Sequence, residues 1–145
     1  MGLFDSSEEH PPHKVRRYVI TALALLVLAL IAVRWFTRYR TEQQTIERFM
    51  NALVAGQAEQ AYHIWKPTSG YAYEDFMHDW GPSGGYGPVR SFRIEDTQRR
   101  GSCVVITVDV SPDQPFPDDN DGAKQNKIQQ VQICVLGDQT MSFAP

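Results

Sequence analysis

The N-terminal third of the chain contains one long run of apolar residues. Residues 18–33 are YVITALALLVLALIAV, a stretch without any charged side chain. At a rise of about 1.5 Å per residue, these residues cover roughly 24 Å of helix, slightly less than the apolar thickness of a bilayer. Trp35 and Phe36 continue the run past Arg34, whose aliphatic stem can snorkel. We therefore predict a transmembrane helix over residues 18–36, with aromatic anchors at its ends: Tyr18, Trp35, Phe36 and Tyr39.

Two alternatives compete with a transmembrane helix. A core helix that is apolar on every face needs protein all around it, and the rest of this chain is too small to supply that cover. A cleaved signal peptide needs a small-x-small cleavage site after the apolar run. The residues that follow, LIAVRWFTRYR at 30–40, contain no clear site of this kind. A retained anchor is therefore the preferred interpretation.

Beyond the anchor, the apolar residues recur with helical spacing. Residues 46, 49, 50, 53 and 54 are all apolar and predict one amphipathic helix that stops near Gly56. The same spacing resumes over residues 58–65, up to Pro67, and again over residues 73–80. The segment GPSGGYGP at 81–88 then excludes regular structure. Two or three helices are therefore expected before the chain changes its pattern.

After residue 88 the pattern alternates with a period of two, as in half-buried strands. We predict strands at 89–95, 103–110, 127–136 and 139–143. In the second strand, Val104, Ile106 and Val108 share one face, and Cys103 and Thr107 lie on the other. Helices followed by consecutive strands predict an α+β domain. The expected architecture is an N-terminal transmembrane helix, then two or three helices packed on a curved antiparallel sheet of about four strands.

Charge restricts the partners of this domain. From residue 41 to residue 145 there are eight Lys and Arg against fourteen Asp and Glu. Such an acidic domain repels phosphate backbones, so no nucleic acid is expected as a partner. The two flanks of the apolar run carry three basic residues each, and the positive-inside rule does not decide the orientation.

An uncleaved signal-anchor with a short tail favours an N-in, C-out topology. The predicted divisions are a cytoplasmic tail at 1–17, the span at 18–36 and an extracytoplasmic domain at 37–145. The predicted location is the cell inner membrane, with the C-terminal domain periplasmic or extracellular.

The segments TIERFMNALVAGQAEQAYHIW at 45–65 and YEDFMHDWG at 73–81, followed by strands, resemble the nuclear-transport-factor-2-like superfamily. The resemblance includes a corner between Leu53 and Tyr62 and covers about two-thirds of the chain. It implies a cystatin-like α+β cone. Members of the superfamily include isomerases, dehydratases and ligand-free scaffolds, among them a single-span scaffold subunit of type IV secretion systems. The acid and tyrosines of the enzymes, such as ketosteroid isomerase, map onto no residue of this sequence, so no catalytic residue is carried over.

The two cysteines, Cys103 and Cys134, fall on the same, less apolar face of two predicted strands. If these strands are neighbours, the two thiols come within disulfide reach. A disulfide closing a loop of about thirty residues would contribute roughly 3 kcal/mol to stability. The alternative is two separate, free thiols.

Aromatic residues are dense between residues 65 and 86 and alternate with Gly and Pro. They either fill the core or form a binding surface or pocket mouth. The candidate binding surface consists of Trp65, Tyr71, Tyr73, Trp80 and Tyr86.

The sequence contains no nucleophile–base set, phosphate loop or metal motif, and no cofactor is expected. His63 and His78 match no ligand spacing. The acidic segment SPDQPFPDDNDG at 111–122 departs from the calcium-loop pattern at both ends and is better explained as a solvated hairpin connection. The preferred hypothesis is a non-enzymatic, membrane-anchored interaction or scaffold module that contacts lipid and other membrane or envelope proteins. The alternative is a small-ligand-binding or isomerase-like enzyme that uses the pocket of the cone.

Overall fold

The computed structural model of the protein describes residues 13–145, and it divides into two units between Arg38 and Tyr39. The first unit is a single helix, α1 (His13–Thr37). This helix begins five residues before the predicted span. The rest of the predicted tail, residues 1–12, lies outside the described residues.

The second unit is an α+β domain, as the sequence predicts. Its helices are α2 (Arg40–Val54), α3 (Ala58–Trp65), α4 (Tyr73–Trp80) and the short α5 (Gly122–Gln125). Its strands are β1 (Ser91–Arg100), β2 (Cys103–Ser111), β3 (Gln129–Leu136) and β4 (Met141–Phe143). The strands form one open, curved antiparallel sheet in the order β1-β2-β3-β4, so the predicted meander of four strands is confirmed.

The chain leaves α2 through a glycine-based turn. Gly56 adopts a φ of +72°, a conformation that only glycine reaches without strain. The Gly56 amide donates to the Leu53 carbonyl at 3.0 Å, and the Gln57 amide donates to the Ala52 carbonyl at 2.8 Å. These two bonds are those of a Schellman motif, which satisfies the last carbonyls of the helix and turns the chain into α3.

The core lies between the helices and one face of the sheet. Alternate residues of β2 point to it, namely Val104, Ile106, Val108 and Val110, and β3 contributes Val131, Ile133 and Val135. The helices supply fully buried residues from α2 and α4, among them Ile46, Phe49, Met50 and Phe76. The predicted division of β2 into an apolar face and a cysteine-bearing face is therefore confirmed.

Several element boundaries differ from the predictions, and β3 and β4 each begin two residues later than expected, at Gln129 and Met141. The first strand begins at Ser91 and runs to Arg100, beyond the predicted end at residue 95, because its second half pairs with β2 after a bulge between Ile94 and Asp96. A bulge shifts the side-chain alternation by one residue, which hides the strand from a period-two analysis. The short helix α5 was not predicted; it begins at Gly122, the last residue of the segment predicted as a hairpin connection.

Candidate functional site

Helix α1 exposes its apolar residues on every side. The side chains from Val15 to Thr37 are all exposed in this unit, and Leu25 is exposed to 62%. One helix near the N-terminus is thus long and apolar enough to cross a membrane. The hydroxyls of Thr21 and Thr37 donate to the carbonyls of Arg17 and Val33 at 2.9 and 2.8 Å. Both hydroxyls are therefore satisfied within the helix.

Three of the four predicted aromatic anchors lie on α1 and are exposed. Tyr18 lies near the start of the helix, and Trp35 and Phe36 lie at its end, where they are 77% and 87% exposed. Tyr39 differs, because it belongs to the second unit and packs partly buried against the core of the domain. Its role as a membrane anchor stays a prediction.

A disulfide joins Cys103 and Cys134, the pair named from the sequence. Their Cα atoms are 5.6 Å apart, and 31 positions separate them along the chain. The pairing follows from the register, in which Cys103 faces Leu136 and Val105 faces Cys134 on adjacent antiparallel strands. With Val105, which is 1% exposed, they form a small apolar cluster on the face of the sheet opposite the core.

Two members of the predicted aromatic surface are core residues. Trp65 and Trp80 are each only 3% exposed, and their ring centroids both lie 5.1 Å from that of Phe49. Their rings pack in the core rather than on the exposed surface, and that part of the prediction is corrected. The reason is the helix periodicity: each tryptophan ends a short helix on the same face as the other buried residues, Ala61 in α3 and Phe76 in α4.

The three tyrosines of the same set lie at the border of the core. Tyr71 and Tyr86 are half-buried, and Tyr73 is exposed to 37%. The Tyr71 hydroxyl donates to a carboxylate oxygen of Asp79 at 2.6 Å. Burial and this hydrogen bond to Asp79 both raise the pKa of Tyr71 above its ordinary value, so the phenol holds its proton more tightly in the folded protein than in the unfolded chain. These contacts hold the Tyr71 side chain in place, and its role is structural.

The glycine-rich segment after α4 is tightly folded. The Gly85 amide donates to the His78 carbonyl at 2.9 Å, and the Tyr86 amide donates to the Asp79 carbonyl at 2.8 Å. A Cβ built on Gly84 would lie 2.7 Å from the His78 carbonyl oxygen, so the segment approaches the helix more closely than a side chain permits. Residues 81–87 therefore cap α4 and hold Tyr86 against Trp80, with ring centroids 5.0 Å apart.

A groove of about 540 Å³ opens beside this cap. Its walls come from the ends of α2 and α4, the glycine-rich segment and the residues that lead into β1. Most of the wall is apolar, and the lining residues include Leu53, Val54, Met77, Trp80, Pro82 and Val89. Arg90 is its only charged lining residue, and Gln114 adds one amide. The sequence did not indicate this groove, because its residues come from four separate stretches of the chain that only the fold brings together, namely 53–58, 77–82, 88–90 and Gln114.

His63 and His78 do not assemble a metal site with the acidic residues near them. Among the described side chains, no three His, Cys, Asp or Glu residues converge closely enough to hold an ion. In the segment after β2, the acidic side chains instead pair locally: Asp121 lies 3.0 Å from Lys124 and Asp113 lies 3.4 Å from Lys127.

Comparison with known proteins identifies no relative: no family model, no curated protein and no solved structure matches this chain.

Proposed function

We propose that this protein is a single-pass membrane protein whose C-terminal domain is a non-enzymatic interaction or scaffold module, acting as an accessory subunit of a larger membrane complex. The observation that carries the proposal is helix α1, which is apolar and exposed on all sides. At ~25 cal/mol per Å² of apolar surface, a helix of this kind is strongly unfavourable in water and favourable in lipid.

The disulfide supports an extracytoplasmic location for the domain. Disulfides persist in the periplasm and outside the cell, whereas the cytosol keeps most thiols reduced. Cys103 and Cys134 are joined and leave no free cysteine in the described chain. We therefore propose the inner membrane as the location, with the N-terminus inside and residues 39–145 on the periplasmic side.

The packing of the domain favours the scaffold role over the alternative enzyme. An isomerase-like site would need an open interior with a carboxylate directed into it. Between the helices and the sheet, the described residues are packed aromatic and aliphatic side chains, with Phe49, Trp65 and Trp80 in mutual contact. This filled interior supplies no observation in favour of the enzyme. Membership of the nuclear-transport-factor-2-like superfamily remains a proposal that rests on the order of helices and strands.

Fractionation and affinity capture test the function. The full-length protein should sediment with membranes and resist alkaline extraction, and mild detergent should release it together with membrane proteins in fixed stoichiometry. A matched control replaces residues 18–33 by a leucine–alanine span of equal length, which keeps the anchor but changes its side chains. Loss of the partners in this control assigns the contact to the span, and their retention assigns it to the domain. Recovery of the protein alone from both preparations would refute the scaffold role.

Protease treatment of spheroplasts tests the orientation. The proposed topology exposes the whole disulfide-bonded domain, so the protease should remove it from intact spheroplasts. Protection of the domain until the membrane is lysed would show the opposite orientation.

A further inference from the structure

The groove beside the cap of α4 has the size and chemistry of a ligand site. Its volume of about 540 Å³ lies within the range of roughly 300–1,000 Å³ typical of small-molecule pockets. Backbone hydrogen bonds hold two of its walls, since the Schellman turn after α2 forms one side and the hydrogen-bonded segment that begins at Gly81 forms another. A rigid apolar concavity costs little conformational entropy when it binds a ligand.

The positive charge of Arg90 determines which kind of ligand the groove should bind. Arg90 lines it, and its side chain makes no ion pair or hydrogen bond with any residue in the described part of the chain. Asp113, which lies two residues past the end of β2, is paired with Lys127 at 3.4 Å. In a domain with an excess of acidic residues, one unpaired guanidinium on an apolar wall is complementary to an anion. A carboxylate is the group that its planar fork binds best among the common organic anions of this size.

Trp80 contributes an apolar wall and no polar contact. Its indole Nε1 is buried and lacks an acceptor among the described residues, but it is closed off from solvent. A ligand in the groove therefore finds its polar recognition at Arg90 and at the amide of Gln114.

We propose that this groove binds a small amphipathic carboxylate: an apolar, ring-sized body lies against Met77, Val54 and Val89, and its carboxylate accepts hydrogen bonds from Arg90. The site lies outside the filled interior of the domain and is independent of the proposed scaffold role. It requires no covalent chemistry.

Equilibrium dialysis of full-length protein in lipid nanodiscs tests the site, with empty nanodiscs as the blank. The probes are naphthylacetate, its neutral amide naphthylacetamide, and the cation naphthylmethylamine, which share one apolar body. We expect saturable binding, with the highest affinity for the carboxylate, a lower affinity for the amide and the lowest for the amine. Arg90→Gln should weaken binding of the carboxylate by about fivefold, as expected for loss of one exposed ion pair, and should leave the amide unchanged. Arg100→Gln, at the other end of β1, is the matched control and should change the affinity for neither the carboxylate nor the amide.

A second variant blocks the groove. Ala55 is exposed on its wall, so Ala55→Trp should fill it without disturbing the core and should abolish binding of all three probes. Equal affinity for carboxylate and amide would overturn the proposal. So would binding that survives in Ala55→Trp, or binding that does not exceed that of empty nanodiscs.

Discussion

The glycine-rich segment lies so close to α4 that alanine should have opposite effects on stability at two adjacent glycines. It should destabilise the domain at Gly84 but not at Gly85. On Gly84, a built Cβ meets the His78 carbonyl oxygen at 2.7 Å and the Asp79 carbonyl carbon and oxygen at 2.8 Å. All three are backbone atoms, so no side-chain rotation can relieve the overlap. On Gly85, a built Cβ meets nothing within 4 Å. Neither glycine has a left-handed φ, so contact alone separates them.

The magnitude follows from the atoms that must move. Overpacking against a fixed backbone costs about 1–3 kcal/mol, and shifting the segment weakens the bonds to His78 and Asp79 by roughly 1 kcal/mol. Alanine also lowers the conformational entropy of the unfolded chain, and this offsets the loss of stability by about 0.4–1 kcal/mol. Gly84→Ala should therefore destabilise the domain by about 2 kcal/mol, or a drop of roughly 8–16 °C in Tm for a domain of this size. Gly85→Ala should be neutral or stabilise it by up to about 1 kcal/mol.

Thermal unfolding of the full-length protein, followed by near-ultraviolet circular dichroism, measures both variants. The signal reports two buried rings: Trp80, which contacts Tyr86 of the segment, and Trp65, which packs against Trp80. If Gly84→Ala melts at or above the temperature of the wild type, or if both variants shift equally, the close approach described here is wrong.

Three further predictions concern the disulfide, the core and a buried hydroxyl. Replacing Cys103 and Cys134 together by serine should cost about 3–4 kcal/mol for a loop of 31 positions, measured by urea unfolding. Phe49→Ala removes the fully buried ring at the centre of the aromatic core and should cost about 3–5 kcal/mol in the same assay. Tyr71→Phe removes the donor to Asp79 and should cost about 1 kcal/mol at neutral pH. Because the pKa of Tyr71 is raised on folding, its contribution is complete below about pH 10 and is lost at higher pH, so the wild type should lose stability more steeply there than Tyr71→Phe.

Each of these predictions has a clear contradicting result. Reduction of the wild type with dithiothreitol should reproduce the double serine variant, and an unchanged urea midpoint in both would exclude a stabilising disulfide. A midpoint within experimental error of the wild type for the Phe49 variant would show that the aromatic core is not packed as described. Parallel pH profiles for the wild type and the Tyr71 variant would show that the hydroxyl does not hold its proton more tightly in the folded protein.

Local periodicity was sufficient to predict the main elements. The spacing of apolar residues predicted α3 and α4 where they are observed, and the alternation in β2 and β3 identified which residues face the core. A helix or strand with one buried face must repeat its apolar residues with the period of its own backbone, so this information is present in the sequence. The same alternation put Cys103 and Cys134 on one face, and the meander made their strands neighbours.

The sequence by itself could not decide what depends on segments that are distant along the chain. It left Trp65 and Trp80 open between core and surface, because exposure depends on what the rest of the fold places against a ring. It excluded regular structure at 81–88 but did not indicate the hydrogen bonds by which this segment is held to α4. It gave no indication of the groove around Arg90, whose walls come from several elements. Periodicity is a local property of the backbone, whereas concavity, close approach and burial are set by how separate elements pack together.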